Sequence, residues 1–506
     1  MVGLMQGLNI QTVILAAISA LLAYKLIKLV YVFVRQWSVL RHTAFAPNSN
    51  LIVGHVLEMI KCTRHGVGAW DMMEQWLSNG NDPVVFRVFN TWGVCVKDPA
   101  ALRRVFQTNQ RAYEKDLALS YHPFLPILGS GLVTSDGELW QKQRLLIGPA
   151  LRTGILDDII PIAKRAVDRL TTKLETRRGT GVAVDLEEEF RLLTLQVIGD
   201  AVLSLDPEEC DRVFPALYLP VMEEANRRVL RPYRMYLPIL PEWWRFHRRM
   251  RALNSFLINY FRDRWQARQK GVLRARKDIL DRVMDSIQET GETWNEALEA
   301  QLCYEIKTFL LAGHETSAAM LTWSCFELSQ DPHILGQVRA EAAAVFPQST
   351  AECPPPTRRE VDGMAYTLAV LKEALRKYSV VPVVTRKLAS DDTIMGHKLP
   401  AGIMVACVLQ GTHNMYKDPR VFRPERFLPD GEYDKFNEAE RLYKFVPFIQ
   451  GPRNCLGQYL ALLEARVVLS LLAQRFTFRL AKPGQGERHP TVIPIGPVDG
   501  LHVYVE

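Results

Sequence analysis

A mainly α fold with minor β-sheets, of the α+β class, is predicted: one large domain over residues 45–506 behind an N-terminal membrane anchor and hinge over 1–44. Three observations predict it. Most of the chain repeats its apolar residues at helical spacing, and alternating β-branched runs are few and short. No Ser/Gly linker, low-complexity tract or internal repeat divides the 506 residues, 48% of which are hydrophobic, ample for one large core. A single long apolar stretch stands at the N-terminus.

That stretch, LNIQTVILAAISALLAY, runs from Leu8 to Tyr24, is interrupted by Lys25 and Lys28, and continues as LVYVFV to Arg35. A helix of this length spans a bilayer with the lysine stems reaching its edge. No Asp or Glu precedes Glu58, whereas Lys25, Lys28, Arg35 and Arg41 all follow the apolar core, so the rest of the chain is expected on the cytoplasmic side. A cleaved signal peptide is disfavoured by the missing basic n-region and the long apolar run, and a chloroplast transit peptide by the lack of Arg and Ser. Next, VVFRVF (Val84 to Phe89) and GVCV (Gly93 to Val96), separated by Asn90, Thr91 and Trp92, read as a hairpin. The helices with the clearest patterns cover 295–328, ending at Asp331-Pro332, then 360–378 and 456–476; FTFRL and HVYVE are closing strands.

The charge balance is 62 basic against 55 acidic residues, net +7, but between Arg227 and Lys277 fifteen Arg or Lys face only Glu242 and Asp263. The tract carries no nucleic-acid motif and reads as an Arg-rich helix face. Within it LPILPEWW (Leu237 to Trp244) suits either a loop dipping into a membrane interface or one packed on the core.

Cysteines stand at 62, 95, 210, 303, 325, 353, 407 and 455, without CxxC pairs or zinc spacing, as in a chain facing a reducing compartment. Cys62, Cys95, Cys210, Cys325 and Cys407 read as buried free thiols. Cys455 differs. It lies in Phe448-Ile-Gln-Gly451-Pro-Arg453-Asn-Cys455-Leu-Gly457, an FxxGxRxCxG run that leads straight into a helix. Free amides at a helix start lower a thiol pKa and favour an anionic ligand. Gly451 permits a tight turn, Gly457 lets another group approach the backbone, Phe448 can shield the sulfur, and Arg453 is a permanent cation suited to a carboxylate.

This segment resembles the haem-binding loop of the cytochrome P450 family. The resemblance implies the cytochrome P450 fold, haem b as cofactor, and the Cys455 thiolate as axial iron ligand. Other motifs agree with it. Ala312-Gly313-His314-Glu315-Thr316-Ser317 matches [AG]Gx[DE]T[ST]. Small residues at 312 and 313 would leave room beside the helix, and the Thr316 hydroxyl can bond the Ala312 carbonyl. The family assigns Glu315 and Thr316 to the proton supply that splits dioxygen. Glu373-Ala-Leu-Arg376 is an i,i+3 pair on one helical face, and with Arg426 of Pro424-Glu-Arg-Phe427 it is implied to be a buried support for the cysteine loop. Trp140 and Arg144, in GELWQKQR, and Arg386, in PVVTRK, stand at propionate-binding positions, with Gln143 where His is common; His413 reads as structural. The resemblance runs from about Phe45 to Glu506 and departs at the hinge, reduced to Ala46-Pro47-Asn48.

A thiolate donor favours O–O cleavage, so the implied reaction is hydroxylation of an unactivated C–H bond with O2. The chain has no flavin or nucleotide motif to supply the two electrons. The resemblance therefore implies an NADPH-dependent membrane flavoprotein reductase, with Lys444 and Arg441 as docking candidates. The expected pocket, from Ser120–Gly131, Phe309, Ala312 and Val380–Thr385, is apolar and fits a lipophilic small molecule of the fatty acid, sterol, terpenoid or carotenoid class. Localisation follows as a single-pass anchor in the endoplasmic reticulum membrane, with a chloroplast membrane as the alternative. A hydroperoxide isomerase or lyase is opposed by Thr316 and the standard loop, a non-catalytic haem-binding sensor by the intact Glu315-Thr316 pair.

Overall fold

The computed structural model describes residues 10–78, 80–272, 274–347 and 355–506. Leu8, Asn9 and Cys353 lie outside them. Helix α1 (Ile10–Leu40) runs unbroken through the apolar stretch, and Val13–Leu40 is long and apolar enough to cross a membrane. Its side chains are exposed for most of that length, but its last turns dock on the body. Phe33 stacks on Trp92 at 5.0 Å, Gln36 Nε2 donates to the Ala401 carbonyl at 2.9 Å, Arg35 pairs with Asp391 at 2.8 Å, and Leu40 is fully buried. The last turns of the helix, 33–40, thus form a packed joint with the body.

The main sheet begins with β1 (Ala44–Phe45), β2 (Val84–Val88), β3 (Thr91–Val96) and β4 (Tyr113–Glu114). The hairpin turn is tighter than the sequence reading: Phe89, at φ +51°, and Asn90 make it, while Thr91 and Trp92 belong to β3. After β5 (Val184–Asp185) come β6 (Val383–Leu388), β7 (Asp392–Ile394), β8 (His397–Leu399), β9 (Met404–Val408), β10 (Phe478–Leu480) and β11 (His502–Val505). The six-stranded order is β1-β2-β3-β9-β6-β4, with β3 and β9 parallel and β6 antiparallel to β9. A three-stranded β10-β11-β5 sheet and the β7–β8 hairpin are separate.

The helices that surround the site are α2 (Gly137–Ile147), α3 (Thr153–Glu175), α4 (Leu186–Leu203), α5 (Leu219–Leu230), α6 (Pro241–Gln269), α7 (Glu296–Leu328), α8 (Pro332–Val345), α9 (Ala365–Tyr378) and α10 (Gln458–Arg475). Asn295 caps α7 through a hydrogen bond from Leu298 N at 2.9 Å, and Asp331 with Pro332 opens α8. α7 is buried along most of its length, in one continuous core with α3, α4, α9 and α10.

The helix predicted over 360–378 is two helices. Thr357 and Glu360 form a capping box for Arg358–Asp362, which ends at Gly363. The Glu341 carboxylate of α8 then accepts from Tyr366 N at 2.9 Å and Thr367 N at 2.7 Å, capping α9 from outside. Pro241 starts α6, so EWW of the LPILPEWW stretch is helical, and α6 buries Phe246, Met250, Leu253, Leu257 and Phe261 on one stripe. The basic tract is also less solvated than a free helix face. Arg228, Arg234 and Arg264 are buried against Glu224, Asp278 and Asp281.

Candidate active site

The loop leading into α10 folds on itself before presenting Cys455. Cys455 N donates to the Phe448 carbonyl at 2.8 Å, and Asn454 N to the Gly451 carbonyl at 3.1 Å. Gly451 sits at φ +77°, and a Cβ there would lie 2.1 Å from the Phe106 carbonyl oxygen, so this turn requires glycine. A Cβ on Gly457 would meet nothing within 4 Å. Burial pushes the Cys455 thiol up, while backbone N–H groups of Gly457 and Gln458 and the Arg144 guanidinium draw it down. Cys455 is nevertheless solvent-accessible, alone among the described cysteines in being exposed, and so is Ala312 in the middle of core helix α7. Accessible residues this deep in the fold line an internal hollow.

Cations gather beside the loop. Arg144 of α2 grips its tip, donating to Asn454 O at 2.9 Å and Asn454 Oδ1 at 2.6 Å. Arg453 donates to Ser135 O at 3.0 Å and Asp136 Oδ1 at 2.5 Å, and lies over the Trp140 ring at 4.2 Å. Arg386, 2% exposed on β6, spends Nη1 on the Thr385 carbonyl and leaves Nη2 buried without a partner. Lys115 completes the set, and sequence reasoning missed it. Burial, then Arg386 and Arg453, hold its ammonium well below the usual lysine range. Arg453 and Lys115 share one carboxylate, Asp136, Arg386 has no carboxylate partner among the described residues, and an unmatched buried donor is costly. This deficit of negative charge, the open face of Gly457 and the accessible sulfur fit haem b, whose two propionates and iron would answer each in turn.

On α7, Thr316 Oγ1 donates to the Ala312 carbonyl at 2.6 Å, as its spacing predicts. Glu315 faces Arg191 of α4 at 3.6 Å, and burial raises its pKa against that cation. His314, pushed down to about 3 by burial, stays neutral. A cavity of about 640 Å³ reaches Glu315 from the far side, bordered by Glu187, Arg191 and His489. Burial lifts Glu187 to about 7. Two of the expected positions are packed against the protein itself. A Cβ on Gly313 would lie 2.7 Å from Ile198, so its missing side chain permits the close approach of α7 to α4. Phe309 is buried in the core, along the face of α7 that carries Ala312 and Thr316. The 120–131 segment does pack on α7. Gly129 abuts Tyr304, Gly131 abuts Thr308, and Leu132 N donates to Glu305, whose carboxyl burial lifts to about 7.

Glu373, Arg376 and Arg426 form one buried cluster. Arg376 binds Glu373 through two bonds of 2.7 Å, Arg426 Nε donates to Glu373 Oε1 at 3.3 Å, and Arg376 and Arg426 also satisfy the Pro419 and Asp418 carbonyls. The cluster reaches the cysteine loop through aromatic contacts: Arg376 lies over Tyr416, Tyr416 meets Phe427, and Phe427 packs on Phe445 at 4.6 Å. The proposed docking cations are internally paired, Arg441 with Asp434 at 3.1 Å and Lys444 with Glu440 at 3.4 Å. Spacing foretold the two motif helices and the Glu373 pair. It had no means of finding Lys115, Arg191 or Glu305, whose partners come from distant segments.

Comparison with known proteins gives the same family. A family model described as Cytochrome P450 matches residues 49–493. The Arabidopsis thaliana protein LUTEIN DEFICIENT 5, chloroplastic, is 29% identical over 81% of this chain and 69% of its own. Cytochrome P450 4c21 of Blattella germanica is 26% identical over 91% and 92%. The human ultra-long-chain fatty acid omega-hydroxylase is 29% identical over 76% and 74%.

Proposed function

Since the chain belongs to the cytochrome P450 family and is a haem-thiolate monooxygenase, we propose that Cys455 supplies the thiolate and that the enzyme hydroxylates a membrane-soluble lipid. Bound haem b supplies reductive activation of O2, inserting one oxygen atom into a C–H bond while the other leaves as water. The Gly457 and Gln458 amides and Arg144 oppose the burial that raises the Cys455 pKa, and coordination to the haem iron would complete its deprotonation. Arg386, Arg453 and Lys115 would hold the propionates, with Arg144 fixing the loop and Trp140 bracing Arg453. Glu315, protonated to higher pH than an ordinary carboxyl, stores a proton beside the Thr316 hydroxyl, and Arg191 connects it to the outer cavity. Glu373, Arg376 and Arg426 keep the loop in place.

The observation that carries this reading is the set of unmatched buried cations beside an accessible helix-start cysteine. The substrate class is supported by the apolar N-terminal helix, which fits a membrane anchor, and by the fatty-acid substrate in the name of the human relative. Electrons come from an NADPH-dependent flavoprotein reductase in the same membrane, the endoplasmic reticulum, with the catalytic domain cytoplasmic.

The dithionite-reduced, CO-bound spectrum of the protein and of Cys455→Ala tests the ligand. A strongly red-shifted Soret band lost in the variant is expected, and a band of histidine ligation overturns the assignment. NADPH consumption with reductase and a panel of fatty acids, sterols, terpenoids and carotenoids then tests the substrate class. Consumption stimulated by none of them rejects it.

A further inference from the structure

The arginines around the α5–α6 connection have no part in the site above. Between Arg227 and Arg251 stand eight arginines, no lysine, and one acid, Glu242. Four of them, Arg227, Arg234, Arg245 and Arg249, line a cavity of about 140 Å³ with Glu224 and Glu242. Glu224 is already shared between Arg234, at 2.7 and 3.0 Å, and Arg228, at 3.3 Å. Arg228 is fully buried, stacked on Phe246 at 3.6 Å, and keeps Nη2 without a partner. Arg249, and nearby Arg231 and Arg248, have no carboxylate partner among the described residues. Arg227 pairs with Glu223, and Arg245 with Glu242 at 2.8 Å, so the five guanidiniums of Arg227, Arg228, Arg234, Arg245 and Arg249 face three carboxylates. Planar forks suit phosphate oxygens better than ammonium groups do.

The neighbouring surface is apolar. Leu230, Tyr233, Tyr236, Leu237 and Trp244 are exposed, and Ile239 is 85% exposed at the tip of the connection. Such side chains beside arginines fit a hydrocarbon layer with its headgroups, and neither a nucleic acid nor a free anion would cover them. We propose that this cavity binds the phosphate of an anionic phospholipid, with Ile239 and Trp244 entering the acyl region beside it. A zwitterionic lipid brings its own cation, which the surplus of guanidiniums repels. The site rests on the membrane-proximal reading of this connection and is independent of the catalytic one.

The test uses the full-length, haem-loaded protein in neutral detergent, so that binding does not depend on the anchor. Dioctanoyl phosphatidic acid, dioctanoyl phosphatidylcholine and inorganic phosphate are titrated, with bound lipid counted by native mass spectrometry. One phosphatidic acid per chain is expected, weakened roughly thirty-fold in Arg245→Gln/Arg249→Gln, since each basic residue near a membrane surface contributes about one kcal/mol. The Arg245→Lys/Arg249→Lys variant should fall between, because it keeps charge and loses the fork. An unchanged reduced-CO spectrum checks that each variant is folded. Equal affinity for phosphatidylcholine, unchanged affinity in the Gln variant, inorganic phosphate binding as tightly as the lipid, or displacement of the lipid by a single-stranded oligonucleotide would each overturn the proposal. Failure of the anchor reading is seen separately, by alkaline extraction of membranes carrying the native chain.

Discussion

Lys115 carries an ammonium buried beside Arg386 and Arg453, a crowding that Asp136 offsets only in part. A dianionic cofactor would relieve this, so Lys115→Gln should release haem to apomyoglobin about ten-fold faster, one charge-assisted hydrogen bond being at stake. Release at the native rate would remove Lys115 from the propionate set. Glu315 is the other single residue on which much depends. Burial raises its pKa, so the proton-donating form persists to higher pH and is lost as pH rises through that pKa. Hydroxylation should therefore fall on the alkaline side. Glu315→Gln should lower the rate about 100-fold and erase that limb, judged from product formed per NADPH across pH 6–9. The geometry at Cys455 and Thr316 was legible because each arises within one local segment: a helix start, and a hydroxyl four residues from its carbonyl. Lys115 was not, because its significance arises only when β6, the loop before α2 and the cysteine loop converge.

At the scale of elements, the contact between α7 and α10 contains a liability. Glu464 of α10 is fully buried, its Oε2 has only Ser317 of α7 at 3.5 Å, and Oε1 has no partner. Burial lifts its pKa to about 8. The folded state thus holds this proton after the unfolded chain has lost it, so stability declines as pH rises from about 4.5 towards 8. Glu464→Gln, neutral throughout, should be unaffected by that window. Its unfolding free energy should exceed the native protein's by roughly 3–5 kcal/mol at pH 8.5 and little at pH 5, read from denaturant titrations. A gap independent of pH would mean the carboxyl is not protonated in the fold. Element type and order were largely legible from periodicity, as α7 and α10 show. The break between Asp362 and Ala365 was hidden because Glu341 of another helix makes the cap.

At the scale of the whole molecule, the joint between α1 and the sheet links the long apolar helix to the rest of the chain. The apolar periodicity of α1 revealed a segment fit to span, but nothing local distinguished its last turns, which bury Leu40 and place Phe33 on Trp92. The two parts of α1 should separate in truncation. Removing residues 1–30 takes away side chains that are exposed from Val13 onward and should leave the thermal midpoint of Soret loss unchanged. Removing 1–42 also strips Phe33, Gln36 and Leu40. It exposes the Trp92 face and should lower that midpoint by several degrees, since losing a single buried leucine costs about 2–5 kcal/mol. Equal midpoints for both truncations would mean that the joint adds nothing to the body's stability. A drop confined to the longer truncation would make the end of α1 part of the catalytic domain, and would fix that domain's orientation to the membrane by a rigid helix rather than by a hinge.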